Sequence, residues 1–258
     1  MANGLLIPRT AFILQYMPRT TAPTGFFLAF VIALTLFATT PVVAGDYEDG
    51  MAAGLARDYQ KAFQLLEPAA EQGDARAQYM VGLMYKKGEG IPENDAKALH
   101  WWTKAAKQGH PEAQFSLGLM YAHGEGIPEN DAKAVHWYTE SAKQGRRDAQ
   151  FSLGSKYYMG IGVPQDYAIA AHWYTKAAKQ GYTKAQLIIG VMHNGGRGLP
   201  KDHVRGYAWS SIAASQGIAD GKKVKEIIAN RMTPAQIAEA QKLSSELWEK
   251  YVVPFQKN

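Results

Sequence analysis

Residues 77–220 consist of one 36-residue unit written four times, with no gap or insertion between copies. The copies open Ala77-Gln78-Tyr79, Ala113-Gln114-Phe115, Ala149-Gln150-Phe151 and Ala185-Gln186-Leu187. A tandem period of this size marks a stacked-repeat architecture, in which each unit buries its apolar face against its neighbours. Such stacks mostly offer extended surfaces to a partner, so the period favours a binding protein over an enzyme.

Aligned as columns, the copies show what each unit must be. Asn94, Asn130, Asp166 and Asp202 share a column, with Asp58 36 residues ahead of them. Asn and Asp begin helices because their side-chain oxygens accept an amide left unpaired in the first turn. Gly73, Gly109, Gly145, Gly181 and Gly217 follow as a stop column, since glycine tolerates the left-handed conformation beyond a helix end. Between them lies helix B, about fourteen residues long. Helix A precedes it, spanning about Pro111–His123 in the second copy, and stops at Gly88, Gly124, Gly160 and Gly196. A second glycine, an aliphatic residue and a proline then turn the chain, as in Gly126-Ile127-Pro128. Each unit is therefore a two-helix hairpin. Small residues (Ala77, Gly82, Ala98, Ala105, Ala106) recur where helices must approach, and large ones (Leu117, Tyr121, Trp137, Tyr138) where space must be filled. The column Trp101, Trp137, Trp173, Trp209 reads as a packing knob between successive hairpins.

The second copy, AQFSLGLMYAHGEGIPENDAKAVHWYTESAKQG, resembles the Sel1-like repeat, a relative of the tetratricopeptide repeat. The likeness covers about residues 54–220, and copy four departs most, with Gly206, Ser210 and His193 replacing an alanine and two tyrosines. It implies an all-α, right-handed α-solenoid of stacked antiparallel helix pairs with capping helices. The expected organisation is a signal peptide over 1–44, a degenerate N-terminal repeat or cap over 45–76, and repeats at 77–112, 113–148, 149–184 and 185–220. C-terminal capping helices then occupy 221–258. Residues 45–57 do not match helix A, which is why the first hairpin is read as degenerate. Near the other end Thr233-Pro234-Ala235-Gln236 is a helix start with a capping box.

Phe26–Ala38 is thirteen residues without a charge, the length of a signal-peptide core and short of the roughly 20 that span a bilayer. Arg19 lies ahead of it, and Val42-Val43-Ala44 places small residues for cleavage after Ala44. Counting from Met17 gives a leader of ordinary length, so Met17 is the expected start. The implied location is the periplasm, with an uncleaved inner-membrane anchor or secretion as alternatives, and no stable membrane insertion after cleavage. Removing Arg9 and Arg19 from the net charge of +5 leaves +3 on the remainder, which gives no reason to invoke nucleic acid. The absence of cysteine excludes disulfides, thiolate metal sites and cysteine nucleophiles.

Three features invite a chemical role. His100, His136 and His172 form a column, but neighbouring units stand about 8–10 Å apart, too far to share a zinc, and the column reads as solvated. The paired glycines, as in Gly88-Glu89-Gly90, follow a helix and lack the third glycine of a dinucleotide loop. Ser155-Lys156 is adjacent and not the spaced pair that acylation uses. No catalytic residue, metal site or cofactor is therefore assigned.

Variable columns are what remains. On helix A these are Met80/Ser116/Ser152/Ile188, Met84/Met120/Lys156/Met192 and Lys87/His123/Met159. Their i, i+4, i+7 spacing puts them on one helical face, and helix A lines the concave side in related repeats. Methionine suits an adaptable contact surface. The expected function is a non-enzymatic scaffold that binds another protein or peptide through this face. Similar repeats imply two alternatives, a scaffold for exporting cell-surface polysaccharide and a β-lactamase-like hydrolase. The hydrolases carry a disulfide in each repeat, which this chain cannot form.

Overall fold

The computed structural model describes residues 45–256, so the leader assigned to 1–44 lies outside the described residues. Five A–B hairpins follow one another: α1 Gly45–Leu55 with α2 Tyr59–Glu71, α3 Ala75–Lys87 with α4 Asp95–Lys107, α5 Pro111–His123 with α6 Asp131–Lys143, α7 Arg147–Met159 with α8 Tyr167–Lys179, and α9 Thr183–Gly195 with α10 His203–Ser215. Then come α11 Ala219–Ala229, α12 Pro234–Tyr251 and a short 3-10 turn at Val253–Phe255. Each helix packs on the one before it as far as α11, and α12 returns to pack on α10. The described residues form an all-α repeat solenoid, and no helix among them is long and apolar enough to cross a membrane.

The punctuation columns do what their chemistry dictates. The side chains of Asp58, Asn94, Asn130, Asp166 and Asp202 accept the amides of Lys61, Lys97, Lys133, Ile169 and Arg205 at 2.9–3.2 Å. Gly88, Gly124, Gly160 and Gly196 end the A helices at φ between 67° and 70°. The second loop glycine has a further reason to be glycine: a Cβ on Gly90 would lie 2.5 Å from the backbone of Tyr59, at the start of the preceding B helix. Gly162 and Gly198 meet the backbone of Asp131 and Tyr167 in the same way, and Gly126 meets the side chain of Asp95. Each loop is thereby seated on the previous unit.

Helix α1 exists although its sequence did not match. Two residues separate it from its cap Asp58, where six separate α3 from Asn94. The shorter loop shifts α1 by four positions relative to the caps. Gly50 abuts Leu66 as Gly82 abuts Trp102, so the motif is present but out of the 36-residue register.

The expected tryptophan column is buried at Trp101 and Trp209 and half-buried at Trp137 and Trp173, and the neighbouring column is buried as well. Trp102, Tyr138 and Tyr174 are buried against Gly82, Gly118 and Gly154, whose missing Cβ atoms make room for the rings. Trp137 packs on the cluster of Trp102, Leu117 and Met120 between hairpins but stays half-buried.

A ladder of glutamines joins the units. Buried Gln78, Gln114, Gln150 and Gln186 donate to the carbonyls of Ala70, Ala106, Ala142 and Ala178 at 3.0–3.2 Å. Their side-chain oxygens in turn accept from Gln108, Gln144, Gln180 and Gln216 at 2.6–2.8 Å. The glutamines thus add a second donor to carbonyls that already accept the amides of Gly73, Gly109, Gly145 and Gly181, and the buried side-chain amides are themselves satisfied.

At the C-terminal end α11 takes the place of a further A helix, with Gly221 against the backbone of Ala214. Helix α12 begins with the Thr233–Gln236 capping box and covers the outer side of α10, where Tyr251 stacks on Trp209 at 5.7 Å. Ala208 and Ile212 are buried there. In the three preceding units the same positions hold His100, His136 and His172, and Lys104, Glu140 and Lys176. Part of the drift in copy four is the imprint of α12.

Candidate partner-binding face

The A helices bury one stripe and expose another. In α3 the buried stripe is Ala77, Val81, Met84 and Tyr85. The solvent stripe is Met80, Leu83 and Lys87, at i, i+3, i+7. Equivalent rows are Ser116, Leu119 and His123 on α5, Ser152, Ser155 and Met159 on α7, and Ile188, Val191 and Gly195 on α9.

This corrects the expected face. Met84, Met120 and Met192 are 3%, 1% and 1% exposed and belong to the core, so no partner reaches them in the folded chain. Methionine there fills space between hairpins. Lys156, in the same column, is spent on an ion pair with Asp131 of the previous unit at 2.5 Å. The position three residues after Met80 is the less buried one: Val191 is exposed there, and Leu83, Leu119 and Ser155 are half-buried. Helical spacing allows either +3 or +4 from one anchor, and only the packing of the next hairpin selects between them.

The remaining expected residues do reach solvent. Lys87 and His123 are exposed, beside Glu89 at 3.6 Å and Glu125 at 3.9 Å. Met159 is 54% exposed, and Met80, Ser116, Ser152 and Ile188 are half-buried. Leu55 at the end of α1 is 84% exposed and Val191 39%. Apolar side chains thus recur along the row, with the hydroxyls of Ser116, Ser152 and Ser155 among them on α5 and α7.

At the first end a cleft of about 250 Å³ opens between α1 and α3, lined by Met51, Leu55, Met80, Leu83 and Lys87. Gly54 and Leu66 also line it, where the next hairpin has the larger Lys86 and Trp102. The charges around the face are largely engaged. Lys86 Nζ lies 2.8 Å from Glu125 and 2.9 Å from Asp95, and the hydrogen bond to Glu125, with that to Asp95 behind it, raises its pKa. Burial pushes the Tyr174 phenol up to about 12, and its hydroxyl donates to Ser155 Oγ at 2.9 Å.

A second variable column escaped the sequence reading. The residues just before the A helices, His110, Arg146 and Tyr182, cover Tyr79, Phe115 and Phe151 of the preceding unit at 4.8–5.0 Å. Chemically these are three different contacts, a stacked imidazole, a cation over a ring and an aromatic pair, which hides them from a search for identity. His100, His136 and His172 are exposed, each edge-on to its neighbouring tryptophan.

Stacked A–B hairpins with an exposed apolar row define a helical-repeat scaffold. The Sel1 repeat family model matches residues 44–74, 75–110, 111–145, 147–182 and 183–218, and the chain belongs to that family. Its first match includes the short-loop hairpin α1–α2. Among solved structures the chain is similar to a Sel1 repeat protein from Oxalobacter formigenes, with 38% identity and a TM-score of 0.60 over 64% of this chain and 48% of that one. It is also similar to c5321, a protective antigen of uropathogenic Escherichia coli with an SLR fold, with 29% identity and a TM-score of 0.54 over 80% and 53%. The chain therefore spans about half the length of these two proteins. No curated protein matches it. Sel1 repeat proteins are generally protein-interaction scaffolds and typically non-catalytic.

Proposed function

We propose that the chain is a non-enzymatic adaptor of the bacterial cell envelope, exported by its leader and binding a protein or peptide through the solvent row of its A helices. The observation that carries this reading is the exposure of Leu55, Met159 and Val191 on that row, where the stacking of hairpins does not require apolar side chains. Exposed apolar groups gathered on one face are the usual mark of an interaction surface. The half-buried Met80 and Leu83 and the cleft beside them add a place for an apolar side chain of the partner.

Two measurements test it. N-terminal sequencing of the periplasmic form is expected to read Gly45-Asp46-Tyr47, and recovery only as uncleaved membrane protein would refute export with cleavage. Crosslinking from the A-helix row, compared between the wild type and a Met80→Glu, Met159→Glu variant, is expected to lose its specific product. An unchanged product with an intact fold sinks this face.

A further inference from the structure

The B helices face solvent on the other side of the hairpins and differ sharply in charge. Exposed lysines stand at Lys97, Lys104 and Lys107 on α4, Lys133 and Lys143 on α6, and Lys176 and Lys179 on α8. Among the described residues only Lys143 of this set has a carboxylate partner, Glu140 at 2.8 Å. The lysines of α3 and α7 behave differently, for Lys86, Lys87 and Lys156 are all ion-paired.

Four of the B-face ammoniums are instead set over aromatic rings. Lys97 lies 4.8 Å from the Tyr85 ring centre and Lys133 5.0 Å from that of Tyr121. Lys104 lies 4.5 Å from Trp101 and Lys176 4.9 Å from Trp173. A cation over a ring is held in place without being neutralised. Asp95 and Asp131, the acids that open α4 and α6, are turned to Lys86 and Lys156. The remaining loop acids, Glu93 and Glu129, lie at the opposite end of these helices from Lys107, Lys143 and Lys179.

The patch has edges on both sides. Helix α2 puts Glu71 where α4 has Lys107, and α12 covers the corresponding side of α10. Three successive helices about 10 Å apart carry these cations, over about 15 Å of α4 and α6 and over one turn of α8, and Glu140 of α6, in line with Lys104 and Lys176, is the acid among them, paired with Lys143.

We propose that this B-helix face is an electrostatic docking surface for an anionic lipid bilayer, its ammoniums meeting phosphate headgroups. Charge complementarity selects the anionic partner. Lys97 and Lys133 lean over rings of their own A helices, while Lys104, Lys107, Lys176 and Lys179 are exposed on helices two hairpins apart, a span that an extended headgroup layer covers and a narrow acidic chain along one helix does not. The proposal does not rest on the A-helix row, which stays free for its own partner in this arrangement.

The test is co-sedimentation of the full chain with phosphatidylcholine vesicles and with vesicles containing phosphatidylglycerol. Because residues 26–38 are apolar enough to enter either bilayer, the readout is the ratio between the two. Each ammonium near an anionic surface strengthens adsorption roughly fivefold at low salt. The expected result is a strong preference for the anionic vesicles that fades with salt and falls by nearly three orders of magnitude in a Lys104→Gln, Lys107→Gln, Lys176→Gln, Lys179→Gln variant. A variant with Lys222→Gln, Lys223→Gln and Lys225→Gln on α11 is expected to keep the preference. Equal binding to both vesicles, or an equal loss per lysine from α11, overturns the proposal. Binding of polyglutamate without preference for anionic vesicles overturns it too, assigning the face to an acidic protein. Since all the substituted lysines except Lys225 are exposed, melting curves are expected to coincide with wild type.

Discussion

Gln108 Nε2 donates to Gln78 Oε1 at 2.7 Å and to the carbonyl of Gly73 at 3.0 Å, tying the end of one B helix to the previous junction. The same geometry recurs at Gln144 with Gln114 and at Gln180 with Gln150. An exposed glutamine is thus made necessary by a buried one 30 residues earlier.

Removing the buried partner breaks two side-chain hydrogen bonds of the ladder at once. Gln114→Leu is expected to destabilise by about 1 kcal/mol, since it removes the side-chain donor to the Ala106 carbonyl, which keeps the Gly109 amide, and the acceptor of Gln144. Gln144→Leu alone is expected to cost less. A double-mutant cycle by urea denaturation is expected to show coupling above about 0.5 kcal/mol, and strict additivity would dismiss the ladder.

Gly118 sits mid-helix, where alanine is ordinarily the better residue by about 1 kcal/mol. Here Gly118→Ala is expected to reverse that sign and destabilise by about 1–3 kcal/mol, because its Cβ would enter the Tyr138 ring. Combining it with Tyr138→Ala is expected to cost less than the sum of the two. Tyr138→Ala alone, losing a buried ring, is expected to cost more than Trp137→Ala, whose ring is half-buried.

The same substitution has opposite consequences in two units. Ile212→Lys merely installs the lysine found at Lys104 and Lys176, yet it is expected to destabilise by about 3 kcal/mol or more because α12 covers Ile212. Lys104→Ile is expected to leave the melting temperature nearly unchanged.

Burial lowers the pKa of His193, and of His110, from its ordinary value. The unfolded chain then binds more protons than the folded one as pH falls below about 6.5, so stability is full above that value and is lost toward the depressed folded pKa. His193→Tyr, which restores the residue of the other A helices, is expected to flatten part of this slope in urea midpoints measured between about pH 7 and 5. An identical slope would show that His193 is no contributor.

The repeat period, the caps and the glycine stops were legible because local chemistry fixes them. Asn94 needs only Lys97, and Gly124 only its own backbone, to perform its role. The apolar row was half legible for the opposite reason. From Met80 a helix offers Leu83 and Met84 almost equally, and the next hairpin decides that Met84 is buried and Leu83 is not. Two further signals were present but unread. The glutamines were visible as fixed letters of the motif, without indication that they meet across units. The shift of Gly50 was hidden by a four-residue shortening of its loop.

By itself, then, the sequence determined that this chain is a stack of helical hairpins, because a repeated unit with start and stop signals leaves its apolar stripe no neighbour but its own copy. Only the tertiary structure decided which side of each A helix remains for a partner, how the first hairpin joins the stack, and why Ala208 and Ile212 break the pattern of the outer row. Those depend on contacts between residues distant in the chain, which no local preference encodes.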